Sequence, residues 1–198
     1  MSPGVIDYAP GVVRWEPDAR GRLQEAAFAL YGERGYDRTT VAEIAERAGL
    51  TKRTFFRHFA DKREVLFDRT EWLTEQFVAE VAAAPASATP LDAVAAALDA
   101  VTAGFEERRP FAERRQEIIA SHPELQEREL IKLASLTAAV TEALRGRGVG
   151  DPAAALAAEA GIAVFRVAFE RWVDPTNERP FQQVARDALR ELRALASA

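Results

Sequence analysis

Cysteine is absent from this chain of 198 residues, and histidine occurs only twice. The lack of cysteine excludes disulfide scaffolds, zinc–thiolate sites and cysteine nucleophiles. His58 and His122 lie far apart in the sequence, so a metal site would need several carboxylates, and no spacing of acidic residues suggests one. We therefore expect neither a metal site nor any other cofactor.

Long hydrophobic runs are missing as well. No stretch approaches the roughly 20 apolar residues of a membrane-spanning helix, and the most apolar one, residues 152–169, contains Glu159 and Arg166. The first residues lack the basic segment and apolar core of a signal peptide. These absences predict a soluble cytoplasmic protein with no membrane partner.

The residues that are abundant favour helices. Hydrophobic residues make up 48% of the chain, Ala and Leu dominate, and β-branched or aromatic runs are sparse, which predicts an all-α fold. Residues 1–17 contain three prolines without periodicity and are interpreted as a flexible arm. Apolar spacing, glycines and prolines then predict about nine helices, at 18–34, 41–48, 52–58, 61–83, 90–108, 110–121, 123–146, 152–173 and 179–196.

The second and third predicted helices have the layout of a helix-turn-helix. Thr40 and Glu43 form a capping-box pattern before the second helix, and Thr51 is a suitable cap for the third. Ala45 permits a close helix crossing, and Gly49 permits the backbone angles of the turn. The core between the two helices is predicted to contain Ile44, Leu50 and Phe55. The third helix would then direct Lys52, Arg53, Thr54 and Arg57 outward, where a major groove could receive them.

Charge is unevenly distributed along the chain. Residues 14–67 carry 11 basic against 9 acidic side chains, whereas residues 68–198 carry 15 against 21. Five basic residues but one acidic residue fall within 50–63. Although the net charge is −5, this local concentration is typical of a module that binds phosphates.

The segment from Gly35 to Leu66, GYDRTTVAEIAERAGLTKRTFFRHFADKREVL, closely resembles the DNA-binding domain of TetR-family regulators. The resemblance implies an all-α homodimer with a three-helix DNA-binding head at 18–66 and a larger helical ligand-binding and dimerisation body at 67–198. It also implies a transcriptional repressor that a small molecule releases from a near-palindromic operator in double-stranded DNA.

The resemblance assigns roles to individual residues of the head. Thr40 and Lys62 would contact phosphates, His58 the DNA backbone, and Lys52, Arg53 and Thr54 the bases. Lys62 is predicted at the start of the fourth helix, where its charge opposes the helix dipole. This makes a structural reason for the lysine weak and favours a contact with phosphate. Phe56 stands where the family usually has tyrosine. Because phenylalanine lacks the hydroxyl group, one hydrogen bond to a phosphate or base is lost. The complete predicted DNA-binding set is Thr40, Thr51, Lys52, Arg53, Thr54, Phe56, Arg57, His58 and Lys62.

The body is less informative at the sequence level. An apolar small-molecule inducer of unknown identity could contact a predicted pocket of Phe105, Phe111, Ile118, Phe165, Phe169 and Trp172. The last helix carries an apolar stripe from Phe181 to Leu195, which could pack against a partner or against its own subunit. The family resemblance favours the partner, so the two C-terminal helices are predicted to form the homodimer interface.

Three alternatives stay open. An enzyme is disfavoured, because the sequence shows no Ser/His/Asp set, paired-carboxylate motif or glycine-rich phosphate loop. The second alternative is a DNA-binding regulator that is controlled by a protein partner and not by a small ligand. An activator is the third.

Overall fold

A computed structural model describes residues 19–197, so the predicted arm at 1–17 lies outside the described residues. This range contains nine α-helices and no strand, which confirms the all-α prediction. The helices are α1 Ala19–Arg34, α2 Val41–Arg47, α3 Lys52–His58, α4 Thr70–Ala83, α5 Pro90–Ala103, α6 Arg109–Ala120, α7 Pro123–Gly146, α8 Ala153–Trp172 and α9 Phe181–Ala196. In this same range no helix is long and apolar enough to cross a membrane.

The chain forms two compact units that divide after Val65. In the first unit, α1, α2 and α3 pack around a core that contains Leu23, Ile44, Phe55 and Phe59, all of which are buried. The rings of Phe55 and Phe59 lie 5.5 Å apart. Of the three residues predicted to form the core between α2 and α3, Ile44 and Phe55 are buried and Leu50 is half-buried.

The turn between α2 and α3 depends on Gly49. Its φ angle is +66°, a left-handed conformation that residues with a Cβ rarely adopt. The Gly49 N–H donates to the Glu46 carbonyl at 2.9 Å and the Leu50 N–H to the Ala45 carbonyl at 2.8 Å. These bonds satisfy carbonyls at the end of α2 and set the direction in which α3 begins.

The prediction of one long helix at 61–83 is wrong. The Asp61 carboxylate accepts the N–H groups of Arg63 and Glu64, but it opens a 3-10 turn at Glu64–Phe67, and α4 begins only at Thr70. Two distant side chains hydrogen-bond to carbonyls in this stretch. The Tyr31 hydroxyl donates to the Lys62 carbonyl at 2.8 Å, and Arg115 Nε donates to the Leu66 carbonyl at 2.7 Å. These are the carbonyls that a continuous helix would use for its own i, i+4 bonds.

In the second unit, helices α4, α5, α7, α8 and α9 enclose one hydrophobic core. Helix α8 approaches α5 closely at Gly161, where an added Cβ would lie 2.1 Å from Val94 Cγ1. A glycine is required there because the valine methyl occupies the space of a side chain. The predicted helix at 90–108 ends early, at Ala103, and residues 106–108 form a 3-10 turn.

The apolar stripe of α9 packs inside its own unit. Phe181, Val184, Ala185 and Ala188 are buried in the core, with Leu189 and Leu192 packed against it. Leu195 alone among the predicted stripe residues is strongly exposed, at 73%. Most of the stripe is therefore unavailable to a partner subunit. The prediction erred because an amphipathic period reveals that a face is buried but not which chain covers it.

Candidate nucleic-acid interface and aromatic cluster

Helix α3 presents a basic face to solvent. Lys52, Arg53 and Arg57 are exposed, and the ring of Phe56 is 57% exposed despite its apolar character. On the opposite side of the helix, Phe55 is fully buried and contacts the Phe56 ring edge-on at 5.6 Å. The buried phenylalanine thus fixes the rotation of α3 so that its cations point away from the core.

The three cations of α3 differ from the other arginines of their unit. Among residues 19–65, Lys52, Arg53 and Arg57 form neither an ion pair nor a hydrogen bond through their side chains. The other arginines have partners inside the unit. Arg47 pairs with Glu33 through two bonds of 2.7 and 2.9 Å, and Arg34 pairs with Glu43 at 2.7 Å. Within residues 19–65, the arginines outside α3 thus contact carboxylates, backbone carbonyls or an aromatic ring, whereas the cations of α3 have no such partner.

Three of the predicted DNA-binding residues are threonines engaged in helix caps. The Thr40 hydroxyl accepts the Glu43 N–H at 3.3 Å while the Glu43 carboxylate accepts the Thr40 N–H at 2.9 Å, which confirms the capping box. This hydrogen bonding and the adjacent Arg34 lower the pKa of Glu43. Thr51 Oγ1 accepts the Thr54 N–H at 3.1 Å, and the two hydroxyls lie 3.0 Å apart. Thr40 thus fixes the start of α2, and Thr51 and Thr54 together fix the start of α3.

Lys62 has a structural role that the sequence argument had considered weak. Its Nζ donates to three backbone carbonyls, of Tyr36 at 2.9 Å, Asp37 at 3.2 Å and Thr39 at 3.1 Å. The ammonium also lies 4.3 Å from the centre of the Tyr36 ring. All three ammonium hydrogens are thereby used. The structural reason for Lys62 is therefore stronger than predicted, because the predicted helix does not start there and the lysine instead holds the turn before α2.

His58 is the last residue of α3, and its position differs from that of the exposed cations. The side chain is half-buried, and Nε2 is shielded from solvent without a hydrogen-bond partner in the described part of the chain. The predicted contact of His58 with the DNA backbone would therefore have to use another atom of the ring.

Four of the six predicted pocket residues come together in the second unit. Phe105, Phe165, Phe169 and Trp172 form a cluster of ring contacts between 5.8 and 6.2 Å. Phe111 and Ile118 lie on α6 outside the core cluster. Phe111 is instead covered by the Arg108 guanidinium, 5.2 Å from its ring centre. The two α6 residues are therefore not part of this set.

Sequence reasoning missed three aromatic members of the same cluster. Phe181 stacks on Trp172 at 4.8 Å, Trp72 lies 6.2 Å from Phe105, and Phe77 lies 5.8 Å from Phe165. The position of Phe181 directly after Pro180, at the buried start of α9, was a signal that could have placed it in the core. We call the set Trp72, Phe77, Phe105, Phe165, Phe169, Trp172 and Phe181 the aromatic cluster.

Comparison with known proteins links both units to one group. Residues 23–68 match the model of bacterial regulatory proteins of the tetR family, and residues 88–196 match the MftR C-terminal domain model. The transcriptional regulator TcmR of Streptomyces glaucescens is 42% identical over 82 residues, which are 41% of this chain but 36% of TcmR. The matched stretch thus spans about a third of that relative.

Solved structures share the fold across nearly the whole chain. A TetR-family regulator from Syntrophomonas wolfei superposes with a TM-score of 0.66 at 16% identity, over 91% of this chain and 95% of that one. Thermus thermophilus FadR, a repressor crystallised with lauroyl-CoA, superposes with a TM-score of 0.54 at 23% identity, over 88% and 93%. At these identities the likeness establishes the fold alone.

Proposed function

The chain belongs to the TetR family of bacterial transcriptional regulators, and from this premise we propose that it represses transcription by binding a near-palindromic operator as a homodimer. The observation that carries the proposal is the unpaired basic face of α3. The side chains of Lys52, Arg53 and Arg57 form neither an ion pair nor a hydrogen bond within residues 19–65. They lie on the second helix of a helix-turn-helix, which enters the major groove in such proteins.

The proposed contacts divide into two kinds. Arg53, in the first turn of α3, is placed to read a base edge, as the N-terminal residues of recognition helices do. Lys52 and Arg57 can neutralise phosphates, a contribution that depends on salt but not on sequence. Thr40, Thr51 and Thr54 support this face through their caps, and the proposal gives them at most a secondary contact with DNA.

The test uses an operator selected from random fragments of the source genome and titrated at several salt concentrations. We expect Arg53→Ala to weaken operator binding about tenfold to a hundredfold, since a good base contact contributes about 1–3 kcal/mol of discrimination. Arg114→Ala is the matched control, because Arg114 is an exposed arginine of α6 that pairs with Glu117 and its loss changes the net charge equally. A Lys52→Ala, Arg53→Ala, Arg57→Ala triple variant that bound the operator like the parent would refute the proposed interface.

The exposed Phe56 provides a gain-of-function prediction. Phe56→Tyr adds a hydroxyl on the proposed DNA-binding face without disturbing the core, because the ring already projects into solvent. If this hydroxyl bonds a phosphate or base, operator affinity should rise about 2- to 10-fold, which corresponds to the usual net contribution of one hydrogen bond. Phe56→Leu, which cannot form this bond, is the comparison variant. Equal affinities for Phe56→Tyr and the parent would show that the ring does not approach the DNA.

We also propose that the dimer forms mainly through α8. The outward face of this helix carries Leu156, which is 64% exposed, and Val167, which is 38% exposed. Ala160 and Ala163 lie between them at helical spacing, so two such helices can approach closely. Leu195 at the end of α9 extends the same type of apolar surface. The remaining residues of the predicted α9 stripe are excluded from the interface because their own unit buries them.

Ligand control is the remaining part of the proposal. A small molecule bound in the second unit would release the repressor from DNA, provided that it binds the DNA-incompetent state more tightly. The aromatic cluster supports an apolar ligand. The structural relative FadR was crystallised with lauroyl-CoA, and SmeT was crystallised with triclosan; both ligands combine an apolar portion with polar groups.

A further inference from the structure

Two arginines of the second unit, Arg69 and Arg108, lack ion-pair partners among the described residues. Each is half-buried. Within residues 66–197, neither guanidinium pairs with a carboxylate or donates a hydrogen bond. They differ in this respect from Arg109, which bonds Glu113 at 2.8 Å and two loop carbonyls, and from Arg115, which bonds Glu129 at 2.8 Å.

A ring contact places Arg69 beside the aromatic cluster, and a backbone hydrogen bond places Arg108 next to it. The Arg69 guanidinium lies 4.0 Å from the centre of the Trp72 ring, and Trp72 contacts Phe105. Arg108 belongs to the 3-10 turn that follows Phe105, to whose carbonyl its N–H donates at 2.9 Å. Ring contacts therefore join Arg69, Trp72 and Phe105. Arg108 is joined to Phe105 through the backbone, and its guanidinium lies over the neighbouring Phe111 ring.

The electrostatics of this pair are unfavourable without an anion. Burial lowers the pKa of Arg69, and the positive charge of Arg108 lowers it further, more than the nearby Asp68 raises it. Both arginines also occupy N-cap positions, Arg69 before α4 and Arg108 before α6, and neither makes a side-chain cap bond. Arginine has no acceptor with which to cap a helix, and its charge adds to the positive end of the dipole.

A second polar group nearby also lacks a partner in the part of the chain that the structure describes. Trp172 is fully buried, and its indole Nε1 forms no hydrogen bond with any of these residues. Trp172 contacts Phe105 at 6.1 Å, so this donor lies within the cluster that the arginines flank. A buried N–H without an acceptor costs free energy unless another group accepts its proton.

We propose that Arg69 and Arg108 bind the anionic group of an amphipathic ligand, such as a carboxylate, sulfonate or phosphate, whose apolar portion packs against the aromatic cluster. Trp172 Nε1 donates to an acceptor atom in the buried part of that ligand. This inference rests on the proposed ligand control, and it narrows the ligand from any apolar molecule to an organic anion. Arg114 and Arg115 are less suitable for binding the anion, because their guanidinium groups already pair with Glu117 and Glu129.

The test compares two fluorescent probes that differ only in one charged group. Anilinonaphthalene sulfonate carries the sulfonate, and N-phenyl-1-naphthylamine is its uncharged counterpart. We expect the Arg69→Gln, Arg108→Gln double variant to bind the sulfonate at least tenfold more weakly than the parent and the neutral probe within twofold. Arg114→Gln should leave both affinities unchanged, and Arg69→Lys, Arg108→Lys should restore part of the sulfonate affinity because it restores the charge.

Two results would overturn the site. One is an unchanged affinity of the double glutamine variant for the sulfonate probe. The other is an equal loss of affinity for both probes in that variant when its melting temperature equals that of the parent. Because these titrations contain no DNA, their outcome is independent of operator binding. If the parent failed to bind any operator while the charge-dependent probe difference remained, the proposed DNA function would fail and the anion site would stand.

Discussion

Replacing Lys62 with methionine is expected to lower the free energy of unfolding of the first unit by about 2–4 kcal/mol. Methionine keeps most of the apolar stem but leaves the carbonyls of Tyr36, Asp37 and Thr39 without their donor. Hydrogen bonds to a charged donor contribute about 1.5–3 kcal/mol each, and the losses are not additive within one cluster. The contact with the Tyr36 ring is lost at the same time. Urea denaturation followed by circular dichroism measures the change.

Lys52→Met separates the structural role of Lys62 from a direct role in DNA binding. Lys52 is exposed and lacks a partner among the described residues, so its replacement should change stability by less than about 0.5 kcal/mol but weaken operator binding and reduce its salt dependence. For Lys62→Met we expect instability and weak binding together. Normal stability combined with lost operator affinity would show that Lys62 contacts a phosphate, as the family resemblance implied.

Gly161→Ala is expected to destabilise the second unit by about 2 kcal/mol. Alanine favours a helix over glycine by about 1 kcal/mol, but its Cβ would lie 2.1 Å from Val94 Cγ1. Overlap in a packed core commonly costs about 1–3 kcal/mol, and occasionally more. This overlap is severe because both partners lie on packed helices, so the steric cost should exceed the helix gain. Thermal and urea denaturation of the variant measure the balance.

The Val94→Ala variant provides the background in which the steric explanation can be tested. It removes the obstructing methyl, and the nearest remaining atom, the β-carbon of residue 94, is 3.4 Å from the position that the new methyl group would occupy. In that background Gly161→Ala should become neutral or stabilising, so the double-mutant cycle should show strong coupling. Gly21→Ala is the control, since an added Cβ there meets no atom within 4 Å. Equal effects of Gly161→Ala with and without Val94 would refute the steric explanation.

Local signals predicted the helix-turn-helix well. The capping box of Thr40 and Glu43, the cap at Thr51 and the turn at Gly49 each depend on residues within four positions of one another, so a single sequence reveals them. The outward face of α3 followed from the burial of Phe55, which a period of 3.6 residues indicates. Interactions over such short distances need no knowledge of the tertiary structure.

The features that sequence reasoning missed all depend on distant residues. Helix 61–83 is interrupted where Tyr31 and Arg115, 31 and 49 positions away from their acceptors, bond the carbonyls of Lys62 and Leu66. The role of Lys62 required the position of the 36–39 turn. In the body, Arg69 and Arg108 became candidates only when the structure showed that their neighbours Arg109, Arg114 and Arg115 pair with carboxylates. The linear sequence does not show where backbone carbonyl groups lie in the fold or which charged side chains form ion pairs.

The burial of α9 against its own core has a consequence for how assembly relates to folding. A protomer that already covers this stripe does not need a second copy to complete its hydrophobic interior. In the dimer proposed above, dissociation would expose the outward face of α8 and leave the interior of each protomer intact. Folding and association can then be separate equilibria, so the concentration of the protein in the cell would govern how many operator-competent pairs exist without altering how many chains are folded.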